Sequence, residues 1–276
     1  MKPARQPIRA ALSAIAVVAS QAGAFGAFAQ DLPENLIHAE ILGGWRTDSG
    51  TQMSALRLTL ADGWKTYWRA PGDSGIPPQF DWSGSTNVAS ITYHWPRPQV
   101  FDLNGLRTIA YENQLVLPIE FQPATPGAPV SVTGEIKLGV CKNICVPMTV
   151  DVTADLSTGT KSDPVIRVAL DNVPRSGDAT GIGTPQCRIK PIRDGLRLTT
   201  DIALPGAGQG DFAVVELADT SVWVSPVETR AGDGHLIDVS DLVPSSAKPF
   251  ALDRSSLRIT IFAGGGDVIE LRGCTG

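Results

Sequence analysis

The sequence predicts an all-β protein, an antiparallel β-sandwich followed by a second, smaller β domain. Three observations carry that reading. Short segments in which apolar and polar residues alternate with a period of two recur along the chain, the mark of half-buried strands. Clusters drawn from 21 Pro and 28 Gly separate those segments, which is the punctuation of sandwich modules and not of helical or α/β architecture. The four cysteines sit where such modules are stapled, one pair four positions apart and the others near the ends of the second block.

From the N-terminus, Lys2, Arg5 and Arg9 precede an apolar run over residues 10–19, and Ala27-Phe28-Ala29 offers a small-residue cleavage site before Gln30. Residues 1–29 therefore read as an export signal cleaved after Ala29. The alternative, an uncleaved anchor, has a run too short for the roughly 20 residues of a spanning helix. Residues 30–157 form the first domain, with strands expected at 54–60, 88–95, 106–111, 115–121, 130–141 and 148–156. Pro71-Gly72, Pro77-Pro78 and residues 123–129 break these strands apart. Within 158–185, Asp163 caps and Pro164 opens a short helix over 165–173 that stops before Pro174. Residues 175–185 read as a flexible linker. The second domain, 186–276, has strands expected at 187–192, 196–204, 212–217, 236–239, 257–262 and 268–271.

Cys141 and Cys145 end one strand and precede the next. Val130, Val132, Ile136, Leu138 and Val140 alternate with Ser131, Thr133, Glu135 and Lys137, which puts Cys141 on the polar face. Four extended steps would part the two Cα atoms by about 13 Å, whereas a disulfide holds them roughly 4.4–6.8 Å apart. The chain must turn, so the pair clips a hairpin whose connection is residues 142–144. Four cysteines permit three connectivities, and proximity favours Cys141 with Cys145 and Cys187 with Cys274. In the chain-entropy model the short loop contributes about 2 kcal/mol and the long one about 4.6 kcal/mol. The long bridge is thus structural, and the short one adds little stability but is open to another protein's thiolate.

Removal of the signal takes away three positive charges and no negative ones, moving the net charge from −5 to −8. That balance excludes a phosphate-backbone binder, so no nucleic-acid partner is expected. No later stretch could span a membrane. His38, His94 and His235 show no metal-ligand spacing and read as surface or half-buried strand residues, so neither metal nor cofactor is expected. Trp45, Trp64, Trp68, Trp82 and Trp95 read as core aromatics of the first domain. Alternatively some of them, with Tyr67 and Tyr111, shield the cysteine pair. Lys142 and Arg69 are the candidate cations for tuning a thiolate.

The run Trp64-Lys65-Thr66-Tyr67-Trp68-Arg69-Ala70-Pro71-Gly72-Asp73-Ser74-Gly75-Ile76-Pro77-Pro78, then Phe80-Asp81-Trp82, and the segment from Cys141 to Pro147 resemble the periplasmic N-terminal domain of the DsbD-type thiol:disulfide interchange reductases, above all its copper-sensitivity suppressor branch. The resemblance covers roughly residues 36–156 and weakens through the second domain. It implies an immunoglobulin-like sandwich that accepts electrons from a membrane-embedded thiol reductase and passes them to periplasmic disulfide proteins. It also implies that Cys145 forms the mixed disulfide with the target and Cys141 resolves it. Better-known members space the cysteines more widely. The sequence stops at Gly276 with neither membrane helices nor a thioredoxin domain, so the donor is expected to be a separate protein. Two other readings stand beside this one: a non-enzymatic module of two stapled sandwiches, and copper handling by the reduced thiols, which suit Cu(I) although the three Met residues supply no thioether cluster.

Overall fold

The alternating segments pair into two stacked sandwiches in a computed structural model of the chain. It describes residues 32–276 apart from 74, 104, 157–158, 247–249 and the side chain of Leu103. The expected export signal at residues 1–29 lies outside the described residues.

In the first sandwich the strands are β1 (Ile37–Arg46), β2 (Gln52–Leu60), β3 (Lys65–Gly72), β4 (Gln79–Asp81), β5 (Val88–Tyr93), β6 (Gln99–Leu103), β7 (Leu106–Glu112), β8 (Gln114–Pro123), β9 (Ser131–Cys141) and β10 (Cys145–Asp155). One sheet has the order β1-β2-β8-β5; the other runs β10-β9-β3-β7-β6, with β4 also on β9. All these pairings are antiparallel. Leu56, Leu117, Ile119 and Phe121 from one sheet meet Ile109, Ile136, Leu138 and Val140 from the other, all buried in one cluster with Trp64, Trp68, Trp82 and Trp95. This is the immunoglobulin-like antiparallel sandwich.

Helix α1 (Pro164–Asp171) follows, with the Asp163 carboxylate accepting from the Val165 and Ile166 backbone N–H groups and Pro164 in its first turn. Its Ile166 packs with Trp45, Met53 and Ala55 in a side cluster. Residues 175–185, expected as a flexible linker, contain regular structure. They hold β11 (Arg175–Ser176) and the single-turn α2 (Gly177–Thr180), capped by Ser176, and Ile182 is buried. Two residues of pairing carry no periodic pattern, so sequence reading could not find them.

The second sandwich contains β12 (Gln186–Ile192), β13 (Gly195–Ala203), β14 (Phe212–Leu217), β15 (Val222–Val224), β16 (Glu228–Gly232), β17 (His235–Pro244), β18 (Leu257–Ala263) and β19 (Asp267–Arg272). Its sheets run β11-β19-β18-β14 and β12-β13-β17-β15, with β16 also on β17. Phe212, Phe262 and Val268 belong to the same apolar cluster as the first sandwich's core. The two sandwiches thus share packed side chains, and residues Glu34–Gly276 form one compact unit. No helix among the described residues is long and apolar enough to cross a membrane.

Inside the second sandwich, Asp238 is only 1% exposed. Its carboxylate accepts from the Thr229 hydroxyl at 2.6 Å and the Thr200 hydroxyl at 3.5 Å, and burial lifts its pKa from 3.8 to about 6. Between those values the unfolded chain binds fewer protons than the folded one, so this group lowers stability as pH rises through that window. Asp238→Asn is expected to remove a pH-dependent loss on the order of 2–3 kcal/mol. Urea midpoints at pH 4 and pH 7.5 check this: the variant should gain relative to wild type only at the higher pH.

Candidate functional site

Strands β9 and β10 pair in register from Asp155 with Ser131 up to Cys145 with Cys141, so the cysteines close the tip of a long hairpin. Residues 142–144 make the connection, and the Lys142 N–H donates to the Ile144 carbonyl oxygen at 3.0 Å. The two Cα atoms are 4.2 Å apart and the sulfurs are bonded. The cysteines differ sharply in access. Cys145 is exposed, whereas Cys141 is only 7% exposed. Parity placed Cys141 on the polar face with Glu135 and Lys137; it is covered there because the side chains of Tyr67 and Phe101, from β3 and β6 of the same sheet, pack against it.

Tyr67 makes the cover. Its hydroxyl lies 2.8 Å from Cys141 Sγ and 3.0 Å from Cys145 Sγ, and since bonded sulfurs carry no hydrogen, the hydroxyl donates. Burial raises the phenol pKa, which keeps that proton in place. The ring fits because Gly139 has no side chain: a Cβ there would stand 2.9 Å from both Tyr67 Cε2 and Ile76 Cβ. Gly75 lies against the other side of the ring. Gly75 and Ile76 therefore lie over Tyr67 and Gly139.

A cation also stands near. Lys65 pairs in register with Cys141 across β3 and β9, and residues so paired share a sheet face, with Cβ atoms about 5 Å apart. Its ammonium is 2.9 Å from Glu112 Oε1 and 4.7 Å above the Phe101 ring, which packs on Tyr67, Ala110 and Cys141. Sequence reasoning missed Lys65, Glu112 and Phe101. The register of β3, which has no alternation to read, brings Lys65 between Cys141 and Glu112, and the pairing of β6 on β7 brings Phe101 to the cluster.

The other candidates lie elsewhere. Lys142 turns back to donate to the Asp62 carbonyl oxygen at 2.9 Å. Arg69 is held by carboxylates of the second sandwich, Glu216 at 3.0 Å and Glu270 at 3.0 Å. Trp68 is fully buried, edge-on to Phe262. Tyr111 is buried, stacks on Trp95 and donates to the Pro96 carbonyl oxygen at 2.7 Å. Of the aromatic residues considered as shields, Tyr67 is the one with a polar contact to the sulfurs. Cys187 and Cys274 are bonded with Cα atoms 5.8 Å apart, joining the start of β12 to the C-terminal stretch. His38, His94 and His235 sit beside Glu40, Glu120 and Asp201 respectively. Among the described residues no three His, Cys, Asp or Glu side chains converge as a metal-binding group.

Chemically, the arrangement offers one accessible sulfur whose bonded partner is buried beside a hydroxyl donor. A thiolate attacking Cys145 Sγ would displace the Cys141 sulfur as a thiolate, and the Tyr67 O–H would stabilise that charge, with the Glu112-paired Lys65 on the adjacent strand as the cation next to it in register.

Residues 38–157 match the family described as Thiol:disulfide interchange protein DsbD, N-terminal. No curated protein sequence matches the chain. Among solved structures, the N-terminal periplasmic domain of ScsB from Proteus mirabilis is similar at 22% identity and a TM-score of 0.60, over 87% of this chain and 92% of that one. At that identity the likeness is one of fold, and a share of 87% takes in the second sandwich as well as the first.

Proposed function

We propose, from the premise that residues 38–157 are a domain of the DsbD N-terminal thiol:disulfide interchange family, that this chain relays electron pairs in the periplasm through Cys141 and Cys145. The observation that carries the reading is the asymmetry of the pair, an exposed Cys145 bonded to a buried Cys141 with the Tyr67 hydroxyl on both sulfurs.

The cycle moves two electrons and two protons. A thiolate of a membrane-embedded dithiol reductase attacks Cys145 Sγ, the Cys141–Cys145 bond breaks, and Cys141 leaves as a thiolate that takes up a proton. The donor's second thiolate then attacks its own sulfur in the mixed disulfide, so the donor is oxidised and Cys145 is released. Next the Cys145 thiolate attacks the disulfide of a periplasmic acceptor, and one acceptor sulfur leaves. Finally the deprotonated Cys141 attacks Cys145 Sγ, restoring the original bond and expelling the acceptor's second sulfur. Tyr67 and Lys65 serve the same step in both directions, because each stabilises negative charge on the Cys141 sulfur. The export signal read from the sequence and the periplasmic origin of the similar ScsB domain support the compartment. The copper-sensitivity branch that the sequence resembles suggests copper tolerance as the setting.

The position of the Cys141–Cys145 equilibrium in glutathione buffers tests this reading. An exchanging pair should titrate above about −300 mV, within the span of thioredoxin-like and disulfide-isomerase pairs. A pair that stays oxidised below about −300 mV behaves as a structural staple, and the non-enzymatic reading would then replace this one.

A further inference from the structure

Tyr67 and Arg69 are two residues apart on β3, about 7 Å along the strand, and they face different partners. Tyr67 meets the sulfurs of the first sandwich. Arg69 is only 11% exposed in its side chain, and the second sandwich surrounds it. Its Nε donates to Glu216 at 3.0 and 3.2 Å, and its Nη2 donates to Glu270 at 3.0 Å and to the Thr260 hydroxyl at 3.2 Å. The guanidinium also lies 4.0 Å over the Trp68 ring.

A second set of contacts holds the loop that follows β3. The Asp73 N–H donates to the Arg107 carbonyl oxygen at 2.9 Å, and the Asp73 carboxylate accepts from the Arg107 N–H at 2.7 Å. The Arg107 guanidinium in turn lies 3.6 Å over Phe212. Phe212 stacks on Phe262 at 4.7 Å, and Phe262 meets Trp68 edge-on at 5.7 Å. These contacts close a circuit from Trp68 through the second sandwich to the base of the loop. Gly75 and Ile76 of that loop stand against Tyr67 and Gly139.

We propose that the second sandwich is a positioning element for the cysteine pair: through Arg69 and Arg107 it holds β3 and, beyond it, Asp73, Gly75 and Ile76 so that Tyr67 stays on the sulfurs. The proposal rests on the redox reading above. Arg69 and Arg107 touch neither sulfur and act only through the strand and the loop. Local opening of a covering segment is governed by the contacts that hold it, so weakening the far end of β3 should open the site while the hairpin itself keeps its register.

The test compares the rate at which reduced glutathione opens the Cys141–Cys145 bond in the wild-type chain and in Arg69→Met, Arg69→Lys, Phe212→Leu and Arg197→Met, alongside thermal unfolding of each. Arg197 pairs with Asp241 in the second sandwich and serves as a control. Arg69→Met is expected to react about fivefold faster, the effect of roughly 1 kcal/mol on local opening. Arg69→Lys should recover part of the wild-type rate, Phe212→Leu should accelerate in the same direction, and Arg197→Met should react as wild type does. If Arg69→Met fails to fold, Phe212→Leu and Arg69→Lys decide. A variant that melts lower but exchanges at the wild-type rate gives Arg69 a merely structural role and overturns the proposal. A wild-type bond that does not exchange at all would instead remove the redox reading, and this inference with it.

Discussion

Removing the Cys187–Cys274 bridge is expected to lower the unfolding free energy by about 4–5 kcal/mol, whereas reducing Cys141–Cys145 should lower it by about 2 kcal/mol or less. The difference follows from loop length: the sequence separations are 87 and 4. The long bridge ties β12 to the chain's last residues, where Cys187 is buried and its N–H donates to the Thr275 carbonyl oxygen at 2.6 Å. Without the bond the terminus is held there by hydrogen bonds alone, that contact, the Thr275 N–H to the Pro185 carbonyl oxygen at 2.9 Å and the Gln186 side-chain amide to the Thr275 hydroxyl at 2.9 Å among them. The short bridge closes a hairpin that ten further register pairs, from Val146 with Val140 down to Asp155 with Ser131, already hold together. The proposed relay requires a disulfide that opens in every cycle without unfolding its host, and a short loop across an already paired hairpin meets that requirement. Urea unfolding of the Cys187→Ala/Cys274→Ala double variant, beside wild type with only the hairpin bond reduced, checks the ranking. Equal losses would contradict it.

The second large effect concerns the two hairpin sulfurs. Cys145→Ser is expected to reduce electron transfer to background, because the remaining Cys141 thiol is buried beneath Tyr67 and cannot meet an acceptor disulfide. Cys141→Ser is expected to complete only the first half-reaction, since Cys145 can still attack but nothing expels the acceptor. Stopped-flow mixing of each pre-reduced variant with a model disulfide separates the cases. The first should give no adduct, and the second one equivalent of adduct without turnover. Similar reactivity of the two variants would contradict the asymmetry.

Much of the fold was legible because its strands have one wet face. The segment expected at 212–217 coincides with β14 (Phe212–Leu217), and β8, β9 and β13 begin and end within two residues of their expected limits. The Asp163-Pro164 start of α1 was equally plain, since capping chemistry is local. Strands β1 and β3 were missed for different reasons. In β1 the pairing register shifts between Leu42 and Trp45, and Gly44 at φ 64° lies so close to the Met53 carbonyl that no side chain would fit. That bulge breaks the period of two. In β3, Thr66, Tyr67 and Trp68 are buried in succession because the strand is covered on both sides. A strand without a wet face carries no alternation.

The site follows the same division. The hairpin and its Cys141–Cys145 clip could be read from spacing and parity, because a hairpin is local and its parity is fixed, whereas Cys187 and Cys274 were simply the pair that remained. The cover could not. Tyr67 is one of several aromatic residues that the sequence offers as shields of the sulfurs, and nothing in it separates Tyr67 from Trp68 or Tyr111. Lys65 comes beside Cys141, and Arg69 reaches the second sandwich, only through the register of β3. These are long-range pairings between segments 74 or more residues apart, and no local pattern encodes them.

The most direct measurement is the mapping of mixed disulfides formed when the reduced Cys141→Ala chain is mixed with periplasmic extract and the adducts are digested for mass spectrometry. The account predicts acceptor peptides joined to Cys145 Sγ. Recovery of the variant with a free Cys145 thiol and no such adduct would contradict it.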